Sequence, residues 1–159
     1  MMLSTRSSYS PRRQMRMAMV MLVYQFELNQ ELISVQTLFE SDAAAVLFDY
    51  QHSFGPHHQR MYQEQLRLLQ VLAKNYLNLR ALIMRFVRSD WTWMRMSPLV
   101  RALLLCACVE LKRLDLGIVA NEYVAMAKDF IPATSDYRFV NIVIDRVNQF
   151  YHEQQIKTS

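Results

Sequence analysis

Glycine is almost absent from this chain. Only Gly55 and Gly117 occur in 159 residues, alongside four prolines. A sheet protein needs many tight turns, and those turns draw on glycine for backbone conformations that other residues resist. Loops that cradle phosphate need glycine too, so that the backbone can approach the ligand. The scarcity excludes both common nucleotide fingerprints and points to an all-α fold. No Gly-x-Ser-x-Gly elbow is present for nucleophilic catalysis. Long apolar runs are also lacking. Ala102–Val109 is uncharged, but Arg101 and Glu110 bracket it after only eight residues, far short of the ~20 that cross a bilayer. Met17–Val23 is shorter still, and neither stretch reads as a membrane span or a secretory signal.

Cysteine is scarce as well. Cys106 and Cys108 are the only two. Two positions apart on a helix, they point about 200° from one another and cannot bridge. They read as small buried apolar residues of a reducing, cytoplasmic compartment.

The charge is not spread evenly. The formal net charge is +4. Arg6, Arg12, Arg13 and Arg16 are the only charged side chains in residues 1–16, and the remainder holds equal numbers of bases and acids. A basic arm on a neutral body suits a polyanion such as RNA. It equally suits a solubilising tail.

The hydrophobic content of 52% is that of a globular chain, and 159 residues fit one domain. Residues 1–9 read as a flexible leader, 10–154 as the helical domain and 155–159 as a tail. Ser10-Pro11 opens a helix, with serine as cap and proline at the first helical position. That helix should reach Leu28, with Met15, Met19, Leu22, Val23 and Phe26 on its apolar side. A second helix is expected over Glu31–Phe39, extending toward Leu47, with a break across Gln51–His58. Gln59–Asn75 is amphipathic, and Tyr76–Val87 continues it after a kink or short turn. Ser97-Pro98 repeats the helix start for Leu99–Leu114, which is apolar nearly all round and so should be central. Gly117 is expected to end it. Ala120–Phe130 follows, stopped by Pro132. Ser135 or Asp136 caps a last helix, Tyr137–Gln154. The pattern predicts a single bundle of about seven helices.

Catalytic chemistry finds little support. His52, His57 and His58 flank a Gly-Pro turn near Asp49, but their spacing matches no established zinc pattern and suits a solvated loop. No Glu-x-x-His pair or His-Glu-x-x-His segment occurs. No metal, cofactor or catalytic residue is expected. Nucleic-acid binding has more behind it. Arg12 and Arg16 share a helix face by their spacing, Arg13 lies beside them, and the helix N-terminus adds positive potential. Tyr137-Arg138-Phe139 offers rings for unpaired bases beside a cation for phosphate, although on the residues alone a core anchor is the favoured role for Phe139.

Several segments, in fixed order, resemble the NusB family of transcription antitermination factors. They are Arg12-Arg13-Gln14-Met15-Arg16, Leu22–Leu28, Trp91-Thr92-Trp93-Met94-Arg95, Arg101-Ala102-Leu103-Leu104, Glu110-Leu111, Asn121-Glu122, Ala127-Lys128 and Arg138-Phe139-Val140-Asn141. The resemblance covers about residues 11–150. It implies an all-helical pair of subdomains. It implies a factor that binds boxA-like single-stranded RNA together with the small-subunit ribosomal protein that doubles as NusE, and joins the RNA polymerase elongation complex. Carried over by position, Arg12, Arg13, Arg16, Asp136, Arg138 and Phe139 would contact RNA, and Tyr24 would face the ribosomal protein. Asn121, Glu122 and Asn141 would hydrogen-bond within the fold. The chain departs from the family pattern at four positions. Val100 replaces a frequent acid, Leu105 an arginine and Val109 a tyrosine, while Ile142 stands where glycine is usual and should crowd the packing. The Val100 and Leu105 departures motivate an alternative: a module that kept the fold but serves protein interaction or homodimerisation.

Overall fold

A computed structural model describes residues 10–29, 59–131 and 134–158. Among them are six α-helices: α1 Pro11–Leu28, α2 Gln59–Lys74, α3 Tyr76–Met84, α4 Pro98–Glu110, α5 Leu116–Phe130 and α6 Thr134–Thr158. A 3-10 turn, Trp93–Arg95, lies between α3 and α4. No strand occurs among the described residues, so the protein is all-α, as two glycines in the whole chain require. The leader 1–9, the expected helix from Glu31 and the histidine loop all lie outside the described residues.

The chain divides into two compact units, Met1–Lys74 and Asn75–Ser159. In the first, α1 packs against α2. Ser10 caps α1 as its sequence requires, its hydroxyl accepting from the Arg13 N–H at 3.2 Å. Met15, Met19, Leu22, Val23 and Phe26 are buried, the helical stripe expected of them. On α2 the buried positions are Gln65, Leu68, Leu69 and Leu72, again spaced by three and four. Helix α2 ends at Lys74 and α3 begins at Tyr76, so the break expected after the amphipathic helix falls at Asn75.

The second unit is organised around α4, which packs on α3, α5 and α6. Every residue from Val100 to Leu111 is buried, so this helix has no polar face. Its two charged residues are buried with it and held by hydrogen bonds. The Arg101 Nη1 donates to the Trp93 carbonyl at 3.1 Å, fastening the 3-10 turn. At the other end, Tyr123 of α5 donates its hydroxyl to the Glu110 carboxylate. Arg80 and Arg101 also place their guanidinium groups near the Trp93 ring, 5.3 and 5.9 Å from its centre.

Several helix ends differ from the sequence expectation, and α3 stops at Met84 rather than Val87. Helix α4 stops at Glu110 rather than Leu114, because residues 111–114 turn back with Arg113 and Leu114 N–H groups on the Glu110 carbonyl. Gly117 therefore does not end α4. It sits in the first turn of α5, where an added Cβ would meet nothing within 4 Å. Helix α6 begins earlier and runs to Thr158, so residues 155–158 continue the helix instead of forming a tail.

Asn121 and Asn141 are also corrected. Both side chains are exposed and make no hydrogen bond among the described residues. They do not tie helices together. Ile142 is 51% exposed and crowds nothing.

Two substitutions test this architecture. Leu104→Asp places an unpaired carboxylate where the side chain is fully buried. It should cost more than ~4 kcal/mol and abolish a cooperative melt near the parent temperature. Gly117→Ala fills open space in a helix turn and should stabilise by ~0.5–1 kcal/mol. A thermal melt should show it as a modest rise in Tm, and a fall would mean that position 117 is not helical.

Candidate nucleic-acid interface

On the first unit the candidate residues lie along α1. Arg12 is half-exposed and pairs with Glu64 of α2 at 3.3 Å. Glu64 also meets Arg60, at 3.4 Å. Such a surface pair is worth at most about 1 kcal/mol, so a phosphate could replace the carboxylate. Arg13 is half-buried. Arg16 is only 3% exposed. The i,i+4 rule puts Arg12 and Arg16 on one side of the helix, but burial also changes along the axis. Gln14, Met15 and Arg16 are all buried, one turn deeper than Arg12. The three arginines are therefore not one exposed cluster, and the expectation that Arg16 presents its charge on the surface is corrected. Tyr24, two turns further on, is half-buried.

The second unit carries a different surface at the start of α6. Arg138 is exposed, while Asp136, Tyr137 and Phe139 are half-buried. Lys128 of α5 sets its ammonium 5.2 Å from the centre of the Tyr137 ring. Phe139 is not a core anchor. Its ring lies 6.3 Å from that of Trp91, with the planes 40° apart. Trp91 is 39% exposed. It sits on a turn braced from several directions. Arg88 pairs with Asp90 at 3.2 Å, Arg95 donates to the Asp90 carbonyl at 3.3 Å, and the Trp91 N–H reaches the Arg88 carbonyl at 3.0 Å.

Sequence reasoning gave Trp91 and Lys128 no binding role. Trp91 and Trp93 are two apart in one segment, and nothing in their spacing says which faces inward. The structure buries Trp93 to 3% exposure and leaves Trp91 in solvent. Lys128 reaches Tyr137 only because α5 and α6 pack together.

The second unit also holds an open groove of about 610 Å³, lined in part by Lys112, Arg113, Asp115, Tyr151 and His152. Lys112 lies 5.5 Å from the centre of the Tyr151 ring, and the Tyr151 hydroxyl donates to the Cys108 carbonyl at 3.2 Å. The nearby thiols are poor nucleophiles. Burial first, then the Glu110 carboxylate, pushes Cys106 well up, and burial lifts Cys108 to about 12 against a small opposing effect of Lys112. Among the described residues no three His, Cys, Asp or Glu side chains gather as a metal site. None of the described helices is long and apolar enough to cross a membrane.

Val100, where the family pattern often has an acid, is buried at 4% exposure, and Leu105 and Val109 are buried beside it. These substitutions are accommodated inside α4.

The NusB family profile matches residues 13–149. Among solved structures, T. maritima NusB superposes with a TM-score of 0.70 at 22% identity, covering 88% of this chain and 92% of that one. Among curated proteins no sequence matches. The profile spans both units and most of the residues on the two surfaces just described, and so the chain belongs to the NusB family.

Proposed function

We propose that this protein is a non-catalytic, RNA-binding antitermination factor of the cytoplasm. Its RNA is single-stranded and boxA-like, bound together with the ribosomal protein NusE, and the complex acts on the RNA polymerase elongation complex. The observation that carries the reading is the start of α6, where an exposed arginine, Arg138, directly precedes Phe139, whose half-buried ring neighbours that of Trp91. Cations beside accessible rings suit unpaired bases joined by phosphates. Arg12 and Arg13 are the proposed phosphate contacts of the first unit, Asp136 completes the α6 contact set, and Tyr24 is the proposed NusE contact. Arg16 is proposed to hold α1 in shape, because its side chain is already buried and bonded.

A second reading rests on a separate observation. Leu77, Met94 and Ile142 are 74%, 64% and 51% exposed, and apolar side chains left in water are available for contact with protein. In that reading the chain is an interaction module or homodimer that kept the fold without the RNA role.

Salt-dependent binding to single-stranded RNA separates the two. Phosphate contacts by Arg12, Arg13 and Arg138 should give a log–log slope of roughly −2, at about −0.7 per phosphate. The double variant Arg12→Gln, Arg138→Gln should bring it to roughly −0.7. Arg16→Gln should lower Tm and leave the slope alone. A folded parent that binds no RNA at low salt, yet self-associates or captures NusE, would establish the second reading instead.

A further inference from the structure

We infer that Trp91 and Phe139 form one two-ring platform on which consecutive unpaired bases stack, with Arg138 meeting the phosphate that joins them. The inference rests on the RNA reading above and adds to it a residue from outside α6.

The geometry is that of neighbouring rings rather than a closed stack. At 6.3 Å and 40° neither ring covers the other, so both keep open area. Contrast Trp93, two residues away. It is 3% exposed and has guanidinium groups near its ring. Trp93 is fully used by the fold, whereas Trp91 is not. An indole left 39% in water forgoes apolar burial, yet the turn that displays it is held by the Arg88–Asp90 pair, the Arg95 bond and its own N–H. That bracing holds the backbone that carries the ring, which lowers the ordering left to be imposed on binding.

Charge favours RNA as the occupant over an apolar protein surface. Arg138, which precedes Phe139 in the first turns of α6, is exposed and makes no ion pair among the described residues. The acid nearest to Trp91 in the chain, Asp90, is already neutralised by Arg88. A base chain supplies both things this patch lacks: π-faces for the rings and an anion for Arg138. Stacking of this kind accepts every base, so the platform should contribute affinity more than sequence preference.

The test uses the full-length protein and a single-stranded RNA oligonucleotide carrying 2-aminopurine at each position in turn. Two adjacent positions should be quenched on binding. Trp91→Ala should remove the quenching at one of them and weaken binding by roughly 5- to 150-fold, the range for losing one stacked base, with the salt slope unchanged. Trp91→Phe keeps an aromatic ring against Phe139 and should recover most of the affinity. Both variants must melt within a few degrees of the parent; if Trp91→Ala does not, the Phe variant and the quenching map decide. RNA binding that depends on Phe139 but is indifferent to Trp91 would overturn the platform and leave the RNA reading standing. A parent that binds no RNA would overturn both. If Trp91→Ala abolished self-association or NusE capture and left RNA affinity intact, the platform would belong to a protein contact, and the inference would fall.

Discussion

The second unit depends on burying α4 from every side. A helix with no polar face is stable only if other helices surround it, and α3, α5 and α6 do so. Each fully buried leucine on it contributes on the order of 1.5–3 kcal/mol, and Leu103, Leu104 and Leu105 are all at zero exposure. The constraint is strict because such a helix offers no side on which an error could be exposed to water. It also explains how family departures at 100, 105 and 109 are tolerated. Each brings an apolar side chain into an environment that asks only for apolar volume.

Buried charge at the two ends turns that core into a positioning device. Arg101 and Glu110 lie inside the unit, where an unbonded charge would be costly. Each is therefore bonded to a neighbouring element. Arg101 draws the 3-10 turn inward through the Trp93 carbonyl, and Glu110 takes the Tyr123 hydroxyl from α5. With Trp93 pinned, the residues just before it are directed outward, and Trp91 emerges on the braced turn. Helix α6, packed on α4 and α5, brings Phe139 to the same place. The aromatic pair is thus a consequence of how α4 is buried, although neither ring touches a charged residue of that helix.

The arginines of α1 show the opposite effect. Their value as RNA contacts was read from angular position, which a helical wheel gives correctly. Depth along the helix is invisible to that construction. Arg12 in the first turn stays open and pairs with Glu64, while Arg16 one turn on is enclosed. A charge cluster in sequence became one surface cation, one half-buried cation and one structural side chain.

Helix class, the Ser-Pro starts at residues 10 and 97 and the centrality of α4 were all legible in the sequence, as was a break after the amphipathic helix, though not its position. These follow from local rules: the Ser10 cap, fixed proline geometry at both starts and the periodicity of apolar residues, while the Ser97 hydroxyl makes no cap bond. The ends of α4 and α6, the place of Gly117 and the exposure of Asn121, Asn141 and Ile142 were not. Each depends on what lies opposite the residue, and a single chain pattern carries no record of that. The same division runs through the candidate site. Arg138 and Phe139 could be singled out as a cation beside a ring. That Trp91 faces out while Trp93 faces in, and that the ring beside Phe139 comes from a turn almost fifty residues earlier in the chain, was decided by tertiary packing, because Trp93 is buried where Arg80 of α3 and Arg101 of α4 meet it, and the spacing of the two tryptophans records none of those contacts.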